Sequence, residues 1–175
     1  MSKQPAAPKI SNLNDLLAVA YQIEIDAVDR YKMLADQMET HNNAELTKVF
    51  RDLARAEGIH GEEIRRMAGD FDIAAHAREL AKFGGESPEE ADLGDAHYLM
   101  TPWHALQMSL AGEERALAYF TSIVENAKDE KVKALAAELV EEEAEHVQLV
   151  HKLLRRYPKP DKNWADDPDP PQSLE

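Results

Sequence analysis

Residues 50–64 read FRDLARAEGIHGEEI, and residues 139–150 read LVEEEAEHVQLV. Each stretch carries a Glu-x-x-His motif on a run of apolar residues spaced three and four positions apart, which is the period of one helix face. Residues three apart on a helix are neighbours, so the glutamate and histidine of one motif can bind the same metal ion. The two motifs consist of Glu57 with His60 and of Glu143 with His146.

A lone glutamate on a similar apolar stripe precedes each motif. Glu24 lies 33 residues before Glu57, and Glu113 lies 30 residues before Glu143, so one pattern occurs twice. The stripe selects Glu113 because its neighbour Glu114 would point about 100° away, towards solvent. Four glutamates and two histidines that converge inside a four-helix bundle form a site for two metal ions. Buried carboxylates are costly without such compensating charge.

The spacing of apolar residues predicts an all-α fold, because it follows the helical period and no hairpin turn joins two strand-like runs. We expect an antiparallel four-helix bundle with a long crossover connection between its second and third helices. The predicted helices cover about residues 11–40, 43–68, 102–127 and 129–157. Ser11 or Asn14 would cap the first helix, and Thr101 with Pro102 would open the third.

The remaining segments are predicted to lie outside the bundle helices. Residues 1–10 are expected to be a flexible leader, and residues 69–101 a connector with a small helix from about Ile73 to Lys82. Residues 158–175 hold five of the nine prolines and several aspartates, so they cannot continue the last helix.

Composition excludes several kinds of function. With 20 basic and 34 acidic residues the net charge is −14, which argues against binding to the phosphate backbone of nucleic acid. The chain has no cysteine, which excludes thiolate-bound metals, disulfides and thiol nucleophiles. Neither a secretory signal nor a run of 18 apolar residues is present, so we expect a soluble cytoplasmic protein without membrane partners.

The chemistry of the six side chains favours particular metals. Four glutamates contribute four negative charges, which two divalent ions would neutralise while the imidazoles stay neutral. Carboxylates with one imidazole per ion suit iron or manganese, and zinc could occupy the site adventitiously. Tyr31, about two helical turns beyond Glu24, could donate its hydroxyl group to a ligand or oxidant, or could be a buried tyrosine with an ordinary partner. Close helix approach, access to the site or tolerated drift would explain the nearby glycines, Gly58, Gly61 and Gly112.

The chain resembles the rubrerythrin family of the ferritin-like superfamily over about residues 11–157. The matching motifs are Glu24-x-x-Ala27-x3-Tyr31, Phe50-x3-Ala54-x-x-Glu57-x-x-His60, Ala111-Gly112-Glu113 and Glu143-x-x-His146. The resemblance implies a non-haem di-iron protein that oxidises Fe(II) and reacts with hydrogen peroxide or dioxygen. The implied metal ligands are Glu24, Glu57, His60, Glu113, Glu143 and His146.

Two departures from the family pattern change what the resemblance implies. Full-length rubrerythrins carry a further glutamate three residues after the third-helix ligand, where this chain has Ala116. A ferroxidase arrangement with His60 as a permanent ligand therefore becomes more plausible than rubrerythrin-style peroxidase chemistry. Without cysteines there is no rubredoxin module, so electrons would come from a separate donor or from Fe(II) itself. The resemblance also implies a homodimer or a larger homo-oligomer.

Three alternatives remain open from the sequence. The glutamates could line a solvated groove, as acidic residues on helices usually do. The chain could sequester iron in a cage or as cargo of another shell. It could also be a metal-free bundle that acts as a binding module.

Overall fold

The computed structural model describes residues 9–84 and 100–163. All regular secondary structure in these ranges is helical, which confirms the predicted all-α class for the described part of the chain. The helices are α1 (Leu13–Thr40), α2 (Ala44–Ala68), α3 (Ile73–Gly84), α4 (Pro102–Asn126) and α5 (Glu130–Leu154). Most of the predicted leader, the second half of the connector and most of the tail lie outside the described residues.

The start of α1 differs from the prediction. Asn12 is the N-cap, rather than Ser11 or Asn14, because its side-chain oxygen accepts a hydrogen bond of 3.0 Å from the backbone N–H of Asp15. The backbone N–H of Ser11 donates in turn to the Asp15 carboxylate at 2.9 Å. These reciprocal bonds satisfy backbone donors that a helix start leaves without partners.

The last helix ends three residues earlier than predicted, at Leu154 instead of Tyr157. Beyond that point the backbone N–H groups of Arg156 and Tyr157 donate to Leu153 and Leu154, each three residues back, so the α-helical pattern has tightened into turns. Pro158 follows and has no N–H with which to continue a helix.

Packing joins the helices mainly in pairs. Helix α1 packs along α2, α4 packs along α5, and α1 also contacts α4 and α5. The short helix α3 lies against α1, where Nε2 of His76 is 2.7 Å from a carboxylate oxygen of Asp15. None of the described helices has a stretch both long and apolar enough to cross a lipid bilayer.

The buried apolar side chains form two clusters at different levels along the long helices. The first, here called the Phe120 cluster, includes Leu16, Ile23, Ile64, Phe120, Val132 and Leu139. The second, here called the Phe50 cluster, includes Leu34, Met38, Phe50, Leu106, Val150 and Leu153. Along each long helix, the predicted metal ligands lie between residues of the two clusters. The apolar core is therefore interrupted by a polar layer.

Candidate metal centre

Each long helix contributes one buried glutamate to the layer between the two clusters. The exposed fractions are 2% for Glu24, 2% for Glu57, 1% for Glu113 and 6% for Glu143. The rings of His60 and His146 lie beside them, nearly parallel, with centroids 5.9 Å apart. The structure therefore brings together all six side chains that the sequence predicts as ligands. That they bind metal remains a prediction.

Glu57 lies between the two histidines. Its Oε1 is 3.1 Å from Nδ1 of His146, and its Oε2 is 3.5 Å from Nδ1 of His60. Because each oxygen faces a different imidazole, this carboxylate is placed to bridge two ions. Nδ1 of His60 is also 3.9 Å from Oε2 of Glu24. We call Glu24, His60 and Glu57 the His60 position.

The second position is built around His146. Its Nδ1 is 3.4 Å from Oε2 of Glu113 and 3.9 Å from Oε2 of Glu143, in addition to its contact with Glu57. We call these four groups the His146 position. Its histidine side chain is 13% exposed, against 23% for His60, so the His60 position is nearer to solvent.

The residues present fit a pair of metal ions. Nδ1 of His60 and Nδ1 of His146 are buried, and neither forms a hydrogen bond with any residue in the described ranges. A buried polar atom without a partner is unfavourable, and coordination to a cation would remove that cost. Oxygen and imidazole nitrogen donors of this kind suit iron or manganese.

Two of the glutamates favour the protonated form when no metal is bound. Burial raises the pKa of Glu24 well above its usual value, and the nearby charge of Glu57 raises it further. Burial likewise raises the pKa of Glu143, with a further contribution from Glu113. Both carboxyl groups therefore keep their protons to higher pH than an exposed glutamate does.

The groups that face the imidazoles behave in the opposite way. Although burial favours neutral Glu57, its contacts with His146 and His60 lower its pKa to about 2. Although burial favours the neutral imidazole of His146, its contacts with Glu113 and Glu57 raise the pKa to about 11. Without metal, the centre therefore balances carboxylate charge with a protonated imidazole. Binding of a cation would displace that proton.

One oxygen of Glu113 is held by side chains from α1. Tyr31 donates a short hydrogen bond to Oε1, and its hydroxyl group is also 2.9 Å from Oγ of Ser109. Nη2 of Arg30 donates to the same Oε1 at 2.9 Å, in an ion pair whose side chains are both 1% exposed. The other oxygen of Glu113 is left facing His146. Tyr31 thus contacts a predicted ligand, and a part in catalysis stays a prediction.

Sequence reasoning missed Arg30. The residue follows Ile23 and Ala27 at helical spacing and precedes Leu34 on the same buried face of α1, which was the available signal. Its charge changes the electrostatic balance, because the four glutamates and Arg30 together carry a net charge of −3 when ionised. Two divalent ions would leave a charge of +1, which favours a hydroxide or another small anion.

Sequence reasoning also passed over Glu142 and Ser109. The apolar stripe of α5 selects Glu143 from the three consecutive glutamates at 141–143. A carboxylate oxygen of Glu142 nevertheless lies within 4.8 Å of possible ligand atoms of both Glu24 and His60. Ser109 is fully buried beside Tyr31. Its position four residues before Glu113, on the inner face of α4, was the signal that could have identified it.

Comparison with known proteins identifies relatives of the chain. The rubrerythrin family model matches residues 15–95, a range that contains Glu24, Glu57 and His60 but ends before α4. The chain is also similar to an uncharacterized conserved protein from Magnetospirillum magnetotacticum MS-1 whose crystal structure is known. The two are 37% identical with a TM-score of 0.68, and the match covers 86% of this chain and 99% of that one. Comparison with curated proteins gave no match.

The second half of the centre, outside the range of the family match, carries the same kinds of residues as the first. Glu113, Glu143 and His146 repeat the arrangement of Glu24, Glu57 and His60, and they occupy the same buried layer. The chain belongs to the rubrerythrin family.

Proposed function

We propose that this chain is a non-haem di-iron oxidoreductase that oxidises Fe(II) with hydrogen peroxide or dioxygen. The observation that carries the proposal is the set of four buried glutamates around two imidazole nitrogens that have no hydrogen bonds among the described residues. Membership of the rubrerythrin family supports iron as the metal. Manganese or zinc would be possible substitutes.

The proposed ligands divide between two ions. Glu24 and His60 would serve one ion, Glu113, Glu143 and His146 would serve the other, and Glu57 would bridge them. When bound, the two ions would supply two electrons for reduction of the oxidant. Electrons would be restored by Fe(II) itself or by a separate donor.

The surrounding side chains set the charge and the orientation of Glu113. Arg30 holds one oxygen of Glu113 and keeps positive charge at the edge of the centre. Burial raises the pKa of Tyr31 well above its usual value, and the charge of Glu113 raises it further, so the hydroxyl group keeps its proton. Tyr31 is therefore a hydrogen-bond donor to Glu113 at the edge of the centre, with Ser109 as a further partner.

We infer that the four long helices form the antiparallel bundle typical of ferritin-like proteins. The composition of the Phe120 cluster supports this, since it joins the beginning of α1 to the end of α2 and the end of α4 to the beginning of α5. We further propose that the protein is cytoplasmic and assembles as a homodimer or larger homo-oligomer, without nucleic-acid or membrane partners.

Anaerobic titration with Fe(II), followed by mixing with hydrogen peroxide or dioxygen, tests the proposal. We expect about two irons per chain and an oxidised, coloured product after mixing. Replacing Glu113 with glutamine should weaken binding by at least about tenfold, because a ligand is lost. The matched control is Glu114→Gln, on the adjacent residue whose side chain is 56% exposed.

Each alternative function has its own outcome in the same experiment. Hundreds of irons in a large particle would indicate storage, and no uptake of iron would indicate a metal-free binding module. If Glu113→Gln and Glu114→Gln bound Fe(II) equally well, the proposed ligand set would be wrong.

A further inference from the structure

Glu142 is a half-buried carboxylate at the edge of the metal centre. It precedes Glu143 on α5, so the two side chains leave the helix about 100° apart. Glu143 points into the buried layer, whereas Glu142 reaches along its edge towards α1 and α2. Its carboxylate, a carboxylate oxygen of Glu24 and a ring nitrogen of His60 all lie within 4.8 Å of one another, a separation that a single ion could span.

Without Glu142, the two metal positions have different numbers of proposed protein ligands. The His146 position has Glu113, Glu143 and His146 in addition to the bridging Glu57. The His60 position has Glu24, His60 and the same bridge. Three protein groups leave coordination positions open on iron or manganese, and a further carboxylate at the His60 position could fill one of them.

The surroundings of Glu142 give it no other evident role. Within residues 9–84 and 100–163, the charge that acts most strongly on Glu142 is that of His60, which attracts it. Burial carries the cost of removing a carboxylate from water, and the charges of Glu63 and Glu57 repel Glu142. A cation between Glu142, Glu24 and His60 would offset both costs.

We propose that Glu142 is a seventh protein ligand of the centre, serving the ion at the His60 position from its solvent-facing side. The proposal rests on the proposed function, since it presupposes that the centre binds two ions. It distinguishes the two ions, because the one at the His60 position would be held partly by a half-buried residue at the edge of the centre. The carboxylates that would hold the ion at the His146 position are all buried.

Titration with Co(II), followed by calorimetry and visible absorption, tests the assignment without any catalytic assay. In Glu142→Gln we expect one of two Co(II) ions to bind at least about tenfold more weakly, and the other to be little changed. Glu141→Gln is the matched control, because it removes the same charge from the exposed neighbouring residue. Both ions should bind this control as they bind the parent.

A second variant separates ligation from simple charge attraction. Glu142→Asp keeps the charge but shortens the side chain by one methylene, so it should still weaken the same ion if the carboxylate is a ligand. His60→Ala identifies that ion: it should weaken the same binding step as Glu142→Gln, whereas His146→Ala should weaken the other. Circular dichroism of each variant establishes that it is folded.

The outcomes separate the two proposals. If the parent binds two ions and Glu142→Gln binds both with parental affinity, Glu142 is not a ligand, while the proposed function stands. The same conclusion follows if Glu141→Gln is as impaired as Glu142→Gln, or if Glu142→Asp binds both ions like the parent. If the parent takes up no Co(II) and no Fe(II), both proposals are wrong.

Discussion

Replacing Arg30 with methionine would remove the nearer of two ion-pair partners of the buried Glu113 carboxylate, which would keep its 3.4 Å contact with His146. Both side chains are 1% exposed, so water cannot compensate for the lost charge. Removing one member of a buried pair costs about 3–5 kcal/mol. Because Tyr31 still donates to Glu113 and His146 still faces it, we expect the lower end of this range, about 3 kcal/mol. In a chain of this length that lowers the melting temperature of the metal-free protein by about 6–12 °C.

Metal should reduce this loss. An ion at the His146 position would supply positive charge to Glu113, so the cost of the substitution should fall to about 1 kcal/mol, the value of an ordinary hydrogen bond. The assay is thermal unfolding followed by circular dichroism, once with a chelator and once with saturating Co(II). Arg55→Met is the control, since Arg55 is 70% exposed and pairs with Asp52 at the surface. Its melting temperature should hardly change in either condition.

A double substitution tests the cause of the loss. Combining Arg30→Met with Glu113→Gln removes both charges, so the metal-free double variant should recover at least half of the stability that Arg30→Met loses. The reasoning is refuted if Arg30→Met melts within about 2 °C of the parent without metal. It is also refuted if Co(II) leaves the difference unchanged, because the metal would then not compensate for Arg30.

Metal binding should tighten as the pH rises from 6 to 8, because His146, whose pKa is raised to about 11, and the carboxyl groups of Glu24 and Glu143, whose pKa values are also raised, must release protons when the metal binds. Calorimetry in buffers of different ionisation enthalpy counts these protons, and an affinity independent of pH would contradict the assignment. Tyr31→Phe should lower the free energy of unfolding of the metal-free protein by about 1.5–3 kcal/mol, because it removes a hydrogen bond to Glu113. Urea unfolding measures this change. An unchanged free energy of unfolding would show that the bond does not stabilise the fold. Gly58→Ala should raise the melting temperature by about 2–4 °C, since alanine favours a helix and the added methyl group would lie 3.9 Å from its nearest neighbour. Gly69→Ala should lower the melting temperature, because φ is +60° at this residue. If either melting temperature moved in the opposite direction, backbone conformation would not govern stability at these sites.

Much of the helical arrangement follows from periodicity. The three-and-four spacing of apolar residues identifies helices because burial of one face requires it, and the glutamates on those stripes lie in the core for the same reason. Helix ends are less predictable, because they depend on single hydrogen bonds. Ser11, Asn12 and Asn14 are all suitable caps, and only the bond between Asn12 and Asp15 distinguishes them.

The centre was harder to predict at its edges than in its middle. Arg30 was missed because an arginine on an apolar face is ordinarily assigned to the surface, and its partner Glu113 is 83 residues away. Glu142 was passed over because the 100° rotation between successive helical residues gives only the direction in which a side chain leaves the helix. It does not give the position that the end of a long side chain reaches. Contacts of this kind depend on how helices distant in sequence are placed against each other.

The polar layer between the Phe120 and Phe50 clusters forms a seam across the long helices. Interlocked hydrocarbon side chains hold the helices together on either side of the seam, while carboxylates and imidazoles meet at it. Because the residues that meet at this level are mostly polar, separation of the helices here would break fewer apolar contacts than separation at either cluster. Ions bound at the seam would link the long helices at this level. Metal binding should therefore make the middle of these helices more rigid.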